Sequence, residues 1–253
     1  MPKYDLELNP PIMNAAGCLG FTPDLRGSLD LTQLGAFITN PISWNPRTPA
    51  KGTRLIHFPG GVLMHTGYPN PGFRSAVRKY SPRWARSPVP ILVNILVQSI
   101  DEVQEMILKL ENTSGVAGVE LGLPPDGSEE FFRALLTSLT SELPIIIRIP
   151  IAQAVVFSTT FYEEIELNTV GISLSAARGM LTDTENNPVS GRLYGPSLFP
   201  QTLTAVHQIA QTGLTVIAGG GVFSKRQVQE LLSAGAAAVQ LDTVLWRGVI
   251  PSL

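Results

Sequence analysis

The sequence predicts an α/β protein whose parallel strands close into an eight-stranded (β/α)8 barrel, the TIM-barrel class. Eight short, mostly apolar runs recur along the chain, with helical segments or loops between them. Strands that are apolar at nearly every position are buried on both faces, which is typical of a parallel sheet covered by helices. A closed barrel is the economical arrangement of eight such units, and an open doubly wound sheet is the alternative. The runs are residues 10–17, 35–40, 90–96, 118–122, 144–150, 169–175, 215–219 and 237–243.

Composition narrows the class of protein. The 253 residues are 44% hydrophobic and 15% charged, and no break in composition marks a linker, so residues 1–253 are expected to form one domain. A net charge of −2 argues against nucleic-acid or membrane-surface partners. The single cysteine, Cys18, excludes an internal disulfide and a multi-cysteine metal site. With no apolar signal region and no 18-residue apolar stretch, we expect a cytoplasmic protein that does not associate with membranes.

Helical periodicity and caps place the remaining elements. Two capping pairs, Ser99 with Glu102 and Ser224 with Gln227, mark helix starts, and a third helix begins at about Ser128. Two long stretches, 41–73 and 176–195, are expected to be irregular, and the first is long enough for a functional loop or a small subdomain. The other expected elements are a short hairpin strand over 3–8 and helices over 24–34, 151–166 and 199–211.

The chain after the last strand is short. Residues 246–253 cannot form a full outer helix, so the barrel is expected to lack one. The uncovered apolar face is compatible with a homodimer.

The turn after the seventh strand is a candidate anion site. An apolar strand leads into Gly219, Gly220 and Gly221, and Ser224 then caps a helix whose free N–H groups face the turn. This arrangement favours phosphate binding. The alternative is that the glycines only allow a strand to turn into a helix.

Polar residues at the strand ends are the candidates for chemistry, because barrel sites lie at the carboxyl ends of the strands. Arg148 lies in an isoleucine-rich strand and needs an anionic partner, either a ligand or Glu120. Glu120 is either a structural carboxylate or a general base, and His65 lies in a loop that can reach the site. No nucleophile elbow, Walker loop or metal-ligand spacing is present, and no metal is expected.

Several motifs occur together in one order: Asn9-Pro10 through Met13-Asn14-Ala15-Ala16-Gly17, residues 34–39, residues 67–72, Val119-Glu120-Leu121 and Gly219-Gly220-Gly221-Val222. In these motifs the chain resembles the dihydroorotate dehydrogenases, FMN-dependent barrels of pyrimidine biosynthesis. The resemblance implies FMN as the cofactor, held at Ala15, Ala16, Gly17, Asn40, Arg148, Ser175, Gly191, Gly195, Gly220, Gly221 and Thr243. Asn94, at another strand end, is a further candidate for cofactor binding. The candidate catalytic residues are Arg148, His65 and Glu120, chosen from their places at the strand ends and in the loop.

The chain also departs from the family pattern. Asn40 and Arg148 stand where the family has lysines. The asparagines that hold the orotate ring correspond to Met64, Gly122 and Leu174, and the loop 123–127 lacks a cysteine or serine base. Each missing amide contact costs about 1–3 kcal/mol of binding. We therefore expect poor oxidation of dihydroorotate.

A further departure concerns the cofactor phosphate. Asp242 stands where the family has a glycine whose N–H meets this group. A carboxylate about 5 Å from one phosphate charge costs roughly 3 kcal/mol at an effective dielectric near 20, which is about a hundredfold in affinity. The cost disappears if the carboxylate points into the barrel wall or meets Arg148 or Arg178.

Together these observations predict an FMN-dependent oxidoreductase acting on CH–CH bonds, with an altered pocket for a small anionic substrate. Two alternatives stay open. One is a catalytically degenerate barrel that serves as a binding or regulatory protein. The other is a phosphate-binding lyase or isomerase that uses Glu120 with His65.

Overall fold

The computed structural model describes residues 6–124, 127–154, 165 and 169–251. Eight parallel strands form one sheet that curls into a barrel, with the order β1-β12-β11-β8-β7-β6-β5-β2, and this confirms the predicted (β/α)8 class. The barrel strands are β1 (Ile12–Asn14), β2 (Phe37–Ile38), β5 (Ile91–Leu96), β6 (Val116–Gly122), β7 (Ile145–Pro150), β8 (Gly171–Ser175), β11 (Val216–Gly219) and β12 (Ala238–Leu241).

A side chain completes the junction between β1 and β2. The two strands share one parallel bridge, Met13 to Ala36. Beyond it, the Asn14 side chain donates to the Ile38 carbonyl (2.7 Å) and accepts from the Ile38 N–H (2.9 Å). A primary amide carries the same donor and acceptor as a peptide group, so Asn14 replaces one rung of the ladder where the strands part.

The barrel interior is apolar at its base and polar towards the carboxyl ends. Met13, Ile38, Leu92, Ile146 and Ile217 belong to one buried cluster inside the barrel. Because side chains alternate along a strand, the next inward residue on several strands is polar or charged. A larger cluster, which includes the β8 residue Leu174, packs the outside of the barrel against the helices.

The helices confirm most of the predicted ones. Ser128 accepts from the Phe131 N–H and Ser224 from the Gln227 N–H, as expected of helix caps, whereas Ser99 begins its helix without a side-chain cap bond. The helices are α1 (Phe73–Trp84), α2 (Ile100–Glu111), α3 (Glu129–Ser138), α4 (Ile151–Ala154), α5 (Phe199–Ala210) and α6 (Lys225–Ser233).

Two expected elements differ. The helix predicted over 24–34 is wrong, because only a 3-10 turn, Leu31–Gln33, forms there, with Asp30 as its cap. Leu25 is 63% exposed whereas Leu31 and Leu34 are buried, so only the end of this stretch packs on the core, and Gly27 and Ser28 further weaken a helix. Residues 6–8 form no strand, and residues 1–5 lie outside the described residues. The predicted helix over 151–166 begins as α4, but most of its length also lies outside them.

The two long stretches that were expected to be irregular pair with each other. They form a four-stranded antiparallel sheet, hereafter the upper sheet, in the order β3-β4-β10-β9. The prediction for 176–195 is therefore wrong: this stretch is a hairpin, whose turn is held by Asp183 accepting from the Glu185 and Asn187 N–H groups. The strands are β3 (Leu55–Phe58), β4 (Gly61–Met64), β9 (Arg178–Thr182) and β10 (Pro188–Tyr194).

The last strand is followed by little regular structure. Up to Pro251, the described residues after β12 form a single 3-10 turn, Leu245–Arg247, which ends at Gly248 with φ of 72°. In the part of the chain that the structure covers, no helix has the length and apolarity needed to cross a lipid bilayer.

Candidate functional site

A cavity of about 450 Å³ lies between the carboxyl ends of the barrel strands and the upper sheet. Strand ends of β1, β2, β5 and β6 form one wall, and residues of β4, β9 and β10 form the other. Such a cleft at the carboxyl ends is where barrel proteins place their sites. The lining residues include Gly17, Asn40, Arg47, Met64, His65, Tyr68, Gly122, Arg178, Gly191, Arg192 and Tyr194.

The charge of this lining is one-sided. Arg47, Arg178 and Arg192 contribute guanidinium groups, and no aspartate or glutamate is among the described residues that line the cavity. Positive groups in a partly enclosed cleft concentrate anions there. The cavity is therefore suited to a small anionic ligand.

Arg192 is the arginine whose surroundings are most informative. Its guanidinium carbon lies 4.5 Å from the centroid of the Tyr68 ring. Its Nε and the Tyr68 hydroxyl are both buried, and neither has a hydrogen-bond partner within the described chain. Burial lowers the pKa of Arg192 from its ordinary value, and the charge interaction with Tyr194 opposes that shift. Unsatisfied donors of this kind point to a ligand.

The loop that carries Tyr68 is held rigidly. Tyr68 has a φ of 52°, which is strained for a residue with a side chain. Asn70 stabilises this turn: its amide donates to the Tyr68 carbonyl, and its oxygen accepts from the Gly72 N–H. Arg47 donates to the Gly67 carbonyl from the opposite loop (3.0 Å). The aromatic ring is thereby fixed under Arg192.

Glu120 lies deeper, in the barrel interior, and is fully buried. Its carboxylate accepts hydrogen bonds from three strands, namely from Asn94 Nδ2 (2.7 Å), Ser173 Oγ (2.6 Å) and Gln240 Nε2 (2.6 Å). All three donors are neutral groups, and none of the salt bridges among the described residues involves Glu120. Glu120 is not among the residues that line the cavity.

Arg148 lies at the level above Glu120, one strand further round the barrel. It is 4% exposed, and among the described residues its Nε has no partner and it forms no salt bridge. Its positive charge lowers the pKa values of Cys18, Tyr194 and Asp242, but burial is the largest effect on each and raises all three. These groups form one electrostatic cluster at the barrel mouth.

The Asp242 carboxylate lies beside the glycine turn after β11. Its Oδ1 accepts from the Thr243 N–H and from the Thr243 hydroxyl (3.0 Å). Burial has the largest effect on the pKa of this carboxyl and raises it, whereas the Gly221 N–H lowers it. On the other side of the turn, Thr202 of α5 donates to the Gly220 carbonyl (2.8 Å). Among the described residues Asp242 forms no salt bridge with Arg148 or Arg178, so the ion pair expected to relieve repulsion is not made.

These contacts test how FMN would fit. The polar edge of the flavin ring fits, because Arg148 Nε and Asn94 Oδ1 are buried atoms that lack a partner within the described residues. The phosphate end does not fit as it stands, because the buried Asp242 carboxylate uses both donors of Thr243 beside the glycine turn. The described residues contain no group of three or more His, Cys, Asp or Glu side chains placed to hold a metal ion.

The predicted site residues fall into separate groups. Gly17, Asn40, His65 and Gly191 line the cavity, and His65 is exposed. Gly195 packs against Gly60 at the end of the upper sheet and does not line the cavity. The rest are buried or half-buried around the barrel mouth: Ala15, Ala16, Asn94, Glu120, Arg148, Ser175, Gly220, Gly221 and Thr243.

Of the three positions that the resemblance assigns to the substrate ring, the fold brings only two to the cavity. Met64 and Gly122 line the cavity, but Leu174 lies in the layer between the barrel and the helices. Sequence reasoning missed Arg192, Tyr68 and Tyr194. The alternation of polar and apolar residues in 188–194, with Arg192 following Gly191, was an available signal for a strand at the site.

Comparisons with known proteins agree with this architecture. A family model described as Dihydroorotate dehydrogenase matches residues 3–251. The catalytic subunit of dihydroorotate dehydrogenase B (NAD(+)) from Desulforudis audaxviator is 29% identical, over 94% of this chain and 83% of that protein. The corresponding subunit from Citrifermentans bemidjiense is 27% identical, over 94% and 84%.

A solved structure shows the same fold. The crystal structure of DHODH in complex with ferulenol from Eimeria tenella superimposes with a TM-score of 0.73 at 13% identity, covering 97% of this chain and 80% of that one. The family model spans nearly the whole chain, and the fold agrees with it. This chain therefore belongs to the dihydroorotate dehydrogenase family.

Proposed function

We propose that this chain is an FMN-dependent oxidoreductase of the dihydroorotate dehydrogenase type, acting on a CH–CH bond of a small anionic substrate. Members of the family are FMN-dependent flavoproteins, and the curated relatives are named as catalytic subunits of an NAD(+) enzyme. The alternative of a catalytically degenerate barrel is not favoured. The observation that carries the proposal is the arginine-lined cavity beside the buried, unpaired Arg148.

Each group has a role that follows from its position. Arg192, with Arg47 and Arg178, binds the anionic group of the substrate. FMN, when bound, supplies the two-electron acceptor for a hydride. Arg148, buried and with an Nε that lacks a partner among the described residues, would hold the polar edge of the flavin and would stabilise negative charge there. His65 brings the one imidazole among the described lining residues and is the candidate proton acceptor. Glu120 supports the site from within the barrel.

The lining of the substrate pocket favours a substrate other than dihydroorotate. Met64 and Gly122 line the cavity where amide side chains would bind a polar ring. Loss of a positioned general base typically removes about 10²–10⁴ in rate. We therefore propose that dihydroorotate is oxidised slowly or not at all.

The test is the visible absorption spectrum of the purified protein, followed by anaerobic mixing with dihydroorotate. We expect about one flavin per chain, and bleaching by dihydroorotate that is orders of magnitude slower than an ordinary turnover. A colourless protein that takes up no flavin would contradict the proposed cofactor. Rapid bleaching would contradict the altered pocket.

We also propose that residues 1–253 form one domain in the cytoplasm, since a lone cysteine fits a reducing compartment. A homodimer is supported by Trp246 and Val249, which follow the last strand and are 48% and 50% exposed. Light scattering during gel filtration tests the oligomeric state, and a 27.2 kDa species would exclude the dimer.

A further inference from the structure

Both donors of Thr243, at the end of β12, are used by one carboxylate. The N–H and the hydroxyl of Thr243 donate to Asp242, which is 2% exposed, and the nearby Gly221 N–H opposes the rise that burial causes in the pKa of the same carboxyl. Backbone N–H groups and a hydroxyl beside a glycine turn are a typical phosphate-binding arrangement. In this chain the anion is part of the protein.

The backbone of the glycine turn after β11 favours glycine at two positions. Gly220 and Gly221 have φ values of 116° and 76°, which a residue with a side chain rarely adopts. A Cβ at Gly221 would collide with the backbone nitrogen of Phe199 at the start of α5. The glycine turn beside Asp242 is therefore fixed by its packing against α5.

Only one of the two oxygens of the Asp242 carboxylate has hydrogen-bond donors around it. Its Oδ2 is buried and lacks a hydrogen-bond partner within the described chain, so the carboxylate is held by one oxygen only. A phosphate that entered the turn would have to share the donors with this charge. A phosphate monoester carries about −1.5 to −2 at neutral pH, so the two anions repel each other strongly.

We propose that Asp242 is a built-in substitute for the cofactor phosphate, so that this barrel binds FMN no more tightly than riboflavin, which lacks the phosphate. The inference rests on the proposed function, because it concerns the flavin of that function. The flavin is then held by contacts between its ring and the residues of the barrel mouth. Asp242 sets the preference between the phosphorylated flavin, FMN, and the unphosphorylated one, riboflavin.

The test compares the dissociation constants of FMN and riboflavin, measured by flavin fluorescence, for the wild-type protein and three variants. Asp242→Gly frees the donors. Asp242→Asn keeps the shape and removes the charge, and Asp101→Asn is the matched control because it makes the same change at an exposed position of α2.

We expect the wild-type protein and the Asp101→Asn control to bind both flavins within about threefold. Asp242→Gly should raise the preference for FMN about a hundredfold, and Asp242→Asn by about tenfold or more. A wild-type preference for FMN above about thirtyfold, or an unchanged ratio in both Asp242 variants, would overturn the inference. If Asp242→Gly does not fold, as judged by circular dichroism, the Asp242→Asn ratio decides.

A second readout needs no flavin. Inorganic phosphate should raise the melting temperature of Asp242→Gly and leave that of the wild-type protein unchanged, because only the variant has free donors. If no protein binds either flavin, the proposed function fails. The phosphate result then still decides whether Asp242 fills an anion site: a shift confined to the variant supports it, and equal behaviour overturns it.

Discussion

The guanidinium of Arg192 lies over the ring of Tyr68, 4.5 Å from its centroid, although the two residues belong to different parts of the chain. The contact brings a strained loop and a strand of the upper sheet to one wall of the cavity. A cation held on an aromatic face keeps its in-plane N–H groups free for an anion. This pair is therefore the centre of the proposed substrate site.

Replacing Arg192 should weaken anion binding. With benzoate as a simple carboxylate probe in isothermal titration calorimetry, we expect Arg192→Met to lower the affinity about 10- to 100-fold, the value of one charged hydrogen bond. Arg192→Lys keeps the charge and should lose less. Equal affinity in wild type and Arg192→Met would show that the anion binds elsewhere.

Replacing Glu120 distinguishes a structural role of its carboxylate from a catalytic one. In Glu120→Gln an amide replaces a carboxylate that accepts from three donors, so at least one donor meets an N–H group. We expect urea unfolding to show a loss of about 2–4 kcal/mol. Glu142→Gln, at an exposed position, should change stability by less than about 0.5 kcal/mol. A Glu120→Gln protein that is equally stable but inactive would instead assign Glu120 a catalytic role.

Asp242 should make stability depend on pH. Burial raises the pKa of its carboxyl, although hydrogen bonds from Thr243 and Gly221 and the charge of Arg148 oppose this. A raised folded-state pKa means that the stabilising contribution is present below the ordinary value of about 3.9 and is lost as the pH rises through the folded value. From about pH 4 upwards, the wild-type protein should therefore lose stability relative to Asp242→Asn, by at most about 1.4 kcal/mol per pH unit. Parallel urea-unfolding curves across this range would refute the assignment.

Asn14 tests the closure of the barrel. Asn14→Ala leaves the buried N–H and carbonyl of Ile38 without their partner, and we expect a loss of about 2–4 kcal/mol in the free energy of unfolding. Asn112→Ala removes an exposed amide that donates to the Leu108 carbonyl and should cost less than about 1 kcal/mol. Similar losses in the two variants would mean that the strand junction does not depend on the Asn14 amide.

The sequence by itself determined the barrel and the starts of its main helices. Apolar runs such as residues 91–96 must be buried on both faces, and caps such as Ser128 and Ser224 act within three residues along the chain. The family was also recognisable from short motifs. These signals are local, so they survive without knowledge of the rest of the fold. The leucine pattern of 24–34 failed because Leu31 and Leu34 are buried at a 3-10 turn while Leu25 stays exposed, so the stretch has no continuous apolar face to stabilise a helix.

Only the tertiary structure decided how the distant parts meet. The upper sheet joins strands from two separate stretches, and it alone places Arg192 on Tyr68. The sequence raised the conflict between Asp242 and a phosphate, but only the structure shows that this carboxylate is buried, accepts from Thr243 and forms no salt bridge with a described arginine. The physical reason is that side-chain direction and long-range pairing follow from packing of the whole chain, whereas caps and apolar runs follow from neighbours in sequence.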